Sequence, residues 1–415
     1  MADRERTRRS SLRALRHGDF AVYFVGNLLS NCGTWFQNIA LALLVYRLTK
    51  SPFWVGAVNF AQFIGVVVLA PWAGHAADRF DRRKLIIATQ LGATVVSAVL
   101  AWLVAVQLGT VPIVLGLALL LGATTAFATP ALQAIIPALV PREDLGAAVA
   151  MNSVTFNLAR AVGPVAGAFV VARFGIPWAI GINAVSYSVF AAAMLFLHLD
   201  QTRETQARRA RLRDSIAMLR QDSSLAILLV VVAAVSLTMD PVSTLTPAFA
   251  TRYFHKPDTF AGFLIGAFGT GAVAGSIIPL HDDTERPERR IALMIGILAC
   301  AMIAFGLMPS LVPSLVVLAL AGFGYLIGQT SATTLLQLRV ADRERGRIMA
   351  LWSVAFLGTR PIAALIDGGL ASVLGLRGAT VIMALPTIAA AVLALRIGAG
   401  TRPGPRPGPA TAMPR

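Results

Sequence analysis

Apolar residues along this chain fall in blocks of about 20, separated by short polar links, which is the pattern of membrane-spanning helices. The blocks lie near 20–46, 54–77, 84–107, 111–136, 146–172 and 175–197, then 224–250, 259–281, 290–309, 312–336, 345–371 and 377–397. The predicted fold is therefore an all-α membrane protein with twelve transmembrane helices in two six-helix halves. A basic arm over 1–19 precedes the first half (20–197), a linker over 198–223 leads into the second (224–397), and a tail over 398–415 follows. The linker is the longest polar interruption. Its charges recur at helical spacing, as in a helix lying on a membrane surface, but its thin apolar face favours a plain connector. The tail is rich in Pro and Gly and reads as disordered.

The split into halves is supported by a repeat. Sliding the chain on itself by 200 residues pairs Gly122 with Gly322, Gly146 with Gly346, Ala150 with Ala350, Ser153 with Ser353, Val154 with Val354, Phe156 with Phe356 and Arg160 with Arg360. Two halves in the same orientation, related by an axis along the membrane normal, put a ligand site between them near the midplane.

Composition sharpens this picture. The 415 residues are 56% hydrophobic and 13% charged, with a mean hydropathy of +0.71, too apolar for a soluble protein of this length. The formal net charge of +16 does not signal nucleic acid, because the basic residues sit in links between spans and not on one solvated surface. With the N-terminus in the cytoplasm, the other side receives only Arg47, Lys50, Arg173, Arg252, Lys256 and Arg377, so the positive-inside bias places both termini in the cytoplasm. The Arg-rich start has no short apolar core with a cleavage site, so no removable signal peptide is read. Cys32 and Cys300 fall inside spans and read as packing residues. His17, His75, His198, His255 and His281 are scattered, with no metal-ligand spacing or nucleophile motif. No cofactor, no metal site and no enzymatic activity are expected.

One link carries more than topology. Gly74-His75-Ala76-Ala77-Asp78-Arg79-Phe80-Asp81-Arg82-Arg83-Lys84 resembles the signature between the second and third spans of the major facilitator superfamily. Gly74, Asp78, Arg79, Phe80, Arg82 and Arg83 match that pattern, while Asp81 stands where it has a second Gly. Gly74 would let a neighbouring helix approach closely, and Asp78 sits where a carboxylate can face the positive end of another helix. The resemblance implies that Asp78 latches the cytoplasmic side against the eleventh span, which starts near Arg345 to Arg347. In the fifth span, Gly163, Pro164 and Gly167 are similar to the Gly-Pro-x-x-Gly element of the superfamily's exporting antiporters, with Ala159 and Ala168 where the fuller pattern has Gly. Pro bends a helix, and a bend at a close-packed face suits a rocking motion. Ordinary small-residue packing is the competing reading.

Ionisable groups inside spans are functional candidates because an unpaired charge there is costly. Arg160 and Arg360, related by the repeat, can both face a central cavity and attract anionic groups, or be tethered to carbonyls of neighbouring helices. Asp240, followed by Pro241, is the candidate proton site: burial disfavours a carboxylate's charged form and a nearby Arg favours it, so relative movement of the two could couple proton flow to transport. An Asp-Pro pair can also mark a helix break exposed to water. Asp367 is closer to a span end and a weaker candidate. The first span carries Asn27, Asn31, Gln37 and Asn38 but no carboxylate, and Ala118 stands where the fourth span of the family has an Arg. Both are departures from the superfamily's usual proton relay. These amides, with Gln62, Trp35, Phe36, Phe60 and Phe63, suit a cavity for a large, partly apolar solute.

The runs Leu15 to Phe20, Ser30 to Gln37 and Asn157 to Arg160 are similar to the bacterial branch that contains the enterobactin exporter and related secretion transporters. The resemblance implies a proton-coupled exporter of a siderophore, antibiotic or other amphipathic small molecule, acting as a monomer in the bacterial cytoplasmic membrane by rocking of its halves. An importer or lipid flippase on the same scaffold, or a non-transporting sensor, are the alternatives; a sensor would need a folded soluble domain that no loop has room for.

Overall fold

The computed structural model describes residues 12–197, 219, 222–277, 286–341 and 344–399. Most of the linker and all but the first residues of the tail lie outside these, as do the proposed surface helix and the disordered reading. The first half contains α1 (Gly18–Thr49), α2 (Pro52–Arg79), α3 (Arg82–Ala105), α4 (Val111–Ile135), α5 (Leu145–Phe174) and α6 (Ile176–Leu195). The second contains α7 (Ser223–Met239), α8 (Pro241–Thr244), α9 (Thr246–Arg252), α10 (Ala261–Ile277), α11 (Pro287–Leu307), α12 (Leu311–Leu338), α13 (Arg345–Leu357) and α14 (Thr359–Ala399). The seventh span is α7 to α9 in succession, interrupted at Asp240 and Leu245.

Eleven helical stretches among the described residues are long and apolar enough to cross a membrane, and one of them, Arg345–Ile397, is 53 residues long. At 1.5 Å per residue it would extend about 80 Å, well over twice a hydrocarbon core of about 30 Å. It is in fact two crossings, because Gly375 adopts φ 74° and ψ 169° inside α14. The eleventh span is α13 with 359–374, the twelfth is 376–399, and the chain crosses twelve times. Both ends of the described chain then lie on one face, called here the terminal face.

The repeat is visible in the backbone itself. Gly175, which joins α5 to α6 with φ 95° and ψ 168°, stands 200 positions before Gly375 and makes the same turn, a conformation closed to residues with a Cβ. Gly122 of α4 lies against the carbonyl of Gln62 in α2, and Gly322 of α12 lies against the carbonyl of Phe268 in α10. In each half the fourth helix therefore meets the second at backbone distance.

Local chemistry sets the helix ends. Pro52, Pro112, Pro177 and Pro287 occupy first-turn positions, where the missing N–H costs nothing. Asp81 accepts from the Lys84 N–H at 3.0 Å and caps α3, which explains why an Asp works where the superfamily pattern has Gly. The two-residue links at Lys50-Ser51 and Phe80-Asp81 force antiparallel neighbours.

The halves meet along two helix pairs, α2 with 359–374 and α5 with α10. Gly56 faces the carbonyl of Ala364, and Gly368 faces Phe53. On the other pair, Gly262, Gly266 and Gly269 of α10 lie against Pro164, Val165 and Ala161 of α5. Small residues at these crossings bring backbones together without interlocking side chains. The outer surface is apolar, with Trp102, Phe169, Trp178 and Val312 exposed, as a chain surrounded by lipid requires. Cys300 also lies exposed on this surface, so it is not a packing residue, while Cys32 is half-buried.

Candidate functional site

A cavity of about 420 Å³ lies between the halves. Its wall reaches Gln133, close to the terminal-face end of α4, and stops on α1 at Ala42, short of the opposite end. It thus opens toward the terminal face. The opposite face is closed by contacts across the halves: Arg47 binds Asp258 through two hydrogen bonds of 2.6 and 2.9 Å, Tyr46 and Thr251 share one at 2.7 Å, and Arg252 donates to the Lys50 carbonyl.

Polar side chains of α1 run down the wall at helical spacing. Asn31 donates to the Asn27 side-chain oxygen at 2.9 Å and to its carbonyl at 2.7 Å, and Asn27 donates to Asn152 of α5 at 3.0 Å. Asn38 and Gln62 also line the cavity, and among the described residues their amides take no hydrogen-bond partner. Those two are free to bind a solute. Gln37 is elsewhere: it is 2% exposed and accepts from Ser97 and Asn183, both at 2.8 Å, tying α1 to α3 and α6. Of the aromatics, Trp35 and Phe63 reach the cavity; Phe36 packs beneath Gly167, and Phe60 is not part of the wall.

The two repeat-related arginines part ways. Arg360 lines the cavity and is the one charged side chain that does so among the described residues. Its guanidinium carbon lies 4.2 Å from the ring centre of Phe63 in the other half, and its Nε has no hydrogen-bond partner. Arg160 does not reach the wall. It is 6% exposed, held between Phe268 and Tyr325 at 5.0 and 4.7 Å, with its Nη2 4.0 Å from the Met239 sulfur. Each half sends one arginine across onto an aromatic ring of the other, but the second half supplies two rings for Arg160 and the first only one for Arg360.

Asp240 marks a helix break, as an Asp-Pro pair can, yet it is not exposed to water: it is 1% exposed. Thr244 donates to its Oδ2 at 2.9 Å, and Asn59 of α2, a cavity residue, donates to Thr244 at 3.1 Å. A hydrogen-bonded chain thus runs from the wall of one half to a buried carboxylate of the other. Arg360 is the cation whose field reaches Asp240. Asp367 is fully buried.

On the terminal face, Asp78 and Arg79 are exposed, and the Asp78 carboxylate makes no hydrogen bond or ion pair among the described residues. Nothing stands within 4 Å of where a Cβ on Gly74 would be. Arg82 donates to the Ala134 carbonyl at 2.9 Å and Arg83 to the Leu195 carbonyl, anchoring the link to α4 and α6. In the fifth span, Gly163 and Gly167 face Trp35 and Phe36 of α1 within the same half, while the Pro164 carbonyl receives Gly262 across the halves. Sequence reasoning missed Asn59, Thr244 and the α10 glycines; the polar residues stand out in apolar runs, and Gly262 and Gly266 have the four-residue spacing of a close-packed face.

Comparison with known proteins agrees with this architecture. The family model described as transmembrane secretion effector matches residues 9–401. A staphyloferrin A transporter from Staphylococcus aureus is 23% identical over 376 residues, covering 88% of this chain and 93% of the relative. An enterobactin exporter, EntS, from Escherichia coli is 26% identical over 365 residues, covering 86% of each. Among solved structures, a bacterial homologue of the human lysosomal transporter Spinster, inward-facing and unoccupied, superposes with a TM-score of 0.74 at 15% identity, covering 94% of this chain and 99% of that one. The nucleoside transporter NupG gives 0.71 at 14% identity, covering 91% and 99%.

Proposed function

The chain belongs to the transmembrane secretion effector family of the major facilitator superfamily, and from that membership, which makes it a multi-pass transporter of small molecules, we propose that it is a proton-coupled exporter of an anionic, amphipathic metabolite. Its location on this reading is the bacterial cytoplasmic membrane, with both termini in the cytoplasm as the positive-inside bias indicates, and it works as a monomer in the lipid bilayer. The terminal face is then the cytoplasmic one, and the conformation described is inward-facing.

The observation that carries the proposal is the cavity wall: among the described residues, neutral amides and hydroxyls, five aromatic side chains, and a single guanidinium whose Nε lacks a partner. An anionic group meeting Arg360 gains charge-assisted hydrogen bonds, Asn38 and Gln62 offer further donors and acceptors, and Trp35 and Phe63 cover apolar parts. Siderophores and related acidic metabolites have this combination, in keeping with the siderophores for which the relatives are named. Transport proceeds by rocking of the halves about α2 with 359–374 and α5 with α10. Closing the cytoplasmic side brings Asp78, unpartnered here, toward the start of α13. Asp240 supplies the coupling carboxylate through its relation to Arg360.

The test is efflux of enterobactin, staphyloferrin A and a set of neutral and cationic amphiphiles from cells lacking their own exporters, with and without a protonophore. Efflux of the acidic solutes, abolished by the protonophore, is expected. Uptake in place of efflux would favour an importer, and preference for cationic solutes would overturn the role of Arg360.

A further inference from the structure

The polar side chains of the cavity differ in what they can still offer a solute. A threonine hydroxyl has one proton to donate and two lone pairs to accept with. On the wall made by α3 and α4 those protons are already in use. Thr89 donates to the Leu85 and Ile86 carbonyls, both at 2.9 Å, Thr124 and Thr125 to the Leu121 carbonyl at 2.8 and 2.9 Å, and Thr129 to the Thr125 carbonyl at 2.8 Å. All four line the cavity, so their hydroxyls can accept hydrogen bonds there and have none to give. Gln90, beside Thr89, is on the same wall. It is 6% exposed, and its side-chain oxygen has no donor among the described residues, a deficit that costs free energy while it lasts.

These acceptors lie at a different depth from Arg360. Gly122 of α4 faces the Gln62 carbonyl, and Arg360 sits over the ring of the next residue, Phe63, so Gly122 marks the depth of the guanidinium. Thr125 and Thr129 follow Gly122 by three and seven residues, about 4.5 and 10 Å along the helix toward the terminal face. On α3, Gly92 packs against the Thr124 methyl group, and Thr89 is almost a turn closer to the terminal-face end. The cavity therefore has a donating cation deep between the halves and a patch of accepting oxygens nearer its mouth. No acidic side chain lines it among the described residues, so the patch is uncharged. Neutral oxygens give an ammonium group no counter-charge to offset its lost hydration, whereas they suit hydroxyl and amide N–H groups.

We propose that the α3–α4 wall is a second subsite of the cavity, selecting solutes that present hydroxyl or amide N–H groups about 10 Å from the acidic group held at Arg360. This rests on the reading of Arg360 as the place of an anionic group. It narrows the solute from an acidic amphiphile to one with an acid at one end and uncharged hydrogen-bond donors at the other. A carbonyl or ether oxygen at that far end would meet lone pairs and would lose its water with no donor in exchange.

Cholate and dehydrocholate test the direction of these bonds. Both are steroid acids with the same skeleton and a single carboxylate, but the hydroxyls of the first are carbonyls in the second and can only accept. Binding to the full chain in lipid nanodiscs is read by titration calorimetry, with empty nanodiscs as the blank. The wild type is expected to bind cholate about tenfold more tightly than dehydrocholate, the worth of one or two hydrogen bonds. Thr125→Val and Thr129→Val, which keep the shape and remove the lone pairs, should each shrink that ratio about threefold, and Thr125→Ser should preserve it. Thr94→Val loses the same kind of bond, to the Gln90 carbonyl at 2.9 Å, but is not among the wall residues and should leave the ratio unchanged. Arg360→Ala should weaken both acids alike. A wild-type ratio near one, or a ratio that neither valine alters, overturns the accepting subsite and leaves Arg360 standing as the anionic anchor. Acids that bind Arg360→Ala as tightly as wild type, or that bind neither protein, would instead remove the reading on which the subsite rests.

Discussion

The two halves share a backbone plan and divide the chemistry. Nearly all of the cavity wall comes from the first half, as uncharged Asn, Gln, Ser and Thr side chains with a few aromatics; among the described residues the second half gives only Ser243, Ile265 and Arg360. Buried charge is distributed the other way: among the described residues Asp240 and Asp367 are buried in the second half, where Arg360 is half-buried, and Arg160 is the buried one of the first, its guanidinium lodged among second-half side chains. The two halves have thus kept the same turns and helix crossings while one carries most of the polar cavity wall and the other the buried carboxylates. Neutral amides can bind a solute in both states of a rocking cycle without a change of protonation. Buried carboxylates cannot move between environments without one.

Breaking that division should be most damaging at Arg360. Arg360→Ala removes the charge from the wall and is expected to weaken binding of acidic solutes about 10- to 100-fold, from a loss of roughly 1.5–3 kcal/mol for hydrogen bonds to a charged group. Its repeat mate should behave differently: Arg160→Ala should leave the apparent affinity close to wild type and lower stability by about 2 kcal/mol, the worth of a desolvated cation on aromatic rings. Transport KM and thermal unfolding of the two purified variants check this, and equal KM effects would contradict the division. A smaller effect is expected on the amide wall, where Asn38→Ala and Gln62→Ala should each raise KM about fivefold, near 1 kcal/mol, with the proton dependence of transport unchanged. The smallest comparison tests what the halves still share. Gly175→Ala and Gly375→Ala should each cost about 1–3 kcal/mol for a Cβ in a positive-φ, extended-ψ conformation that essentially only Gly adopts, and by similar amounts, read as matching shifts in unfolding temperature.

Most of the fold could be read from the sequence because lipid imposes a simple rule on it: long apolar blocks and charged links, with Lys and Arg marking one side. The division at Gly375 was legible as a gap between predicted spans, although helical geometry on either side runs almost continuously. The interruption of the seventh span at Asp240 was legible from Asp-Pro, but its burial was not, since one sequence can leave such a break in water or enclose it. The site was half legible. Asn31, Asn38, Gln62 and Arg360 stood out as polar residues in apolar blocks and do line the cavity. Arg160 and Gln37 stood out for the same reason and are held elsewhere, because a periodic pattern gives the face of a helix but not the partner across it. Asp367 reads as a weak candidate in the sequence because it lies close to a span end, whereas what distinguishes it is the absence of any donor around it, a property of three-dimensional packing alone.

The ion pair that closes the opposite face has a consequence for the surroundings of the cell. Arg47 keeps 40% of its side chain exposed while bonded to Asp258, so dissolved ions compete with and screen this contact, over a Debye length that shortens from about 30 Å in 0.01 M salt to about 8 Å at 0.15 M. On the orientation proposed here that salt is the medium outside. A cell carried from fresh to saline water would meet the same transporter with a slightly looser outer seam, the loosening limited by Asp258, which is only 12% exposed.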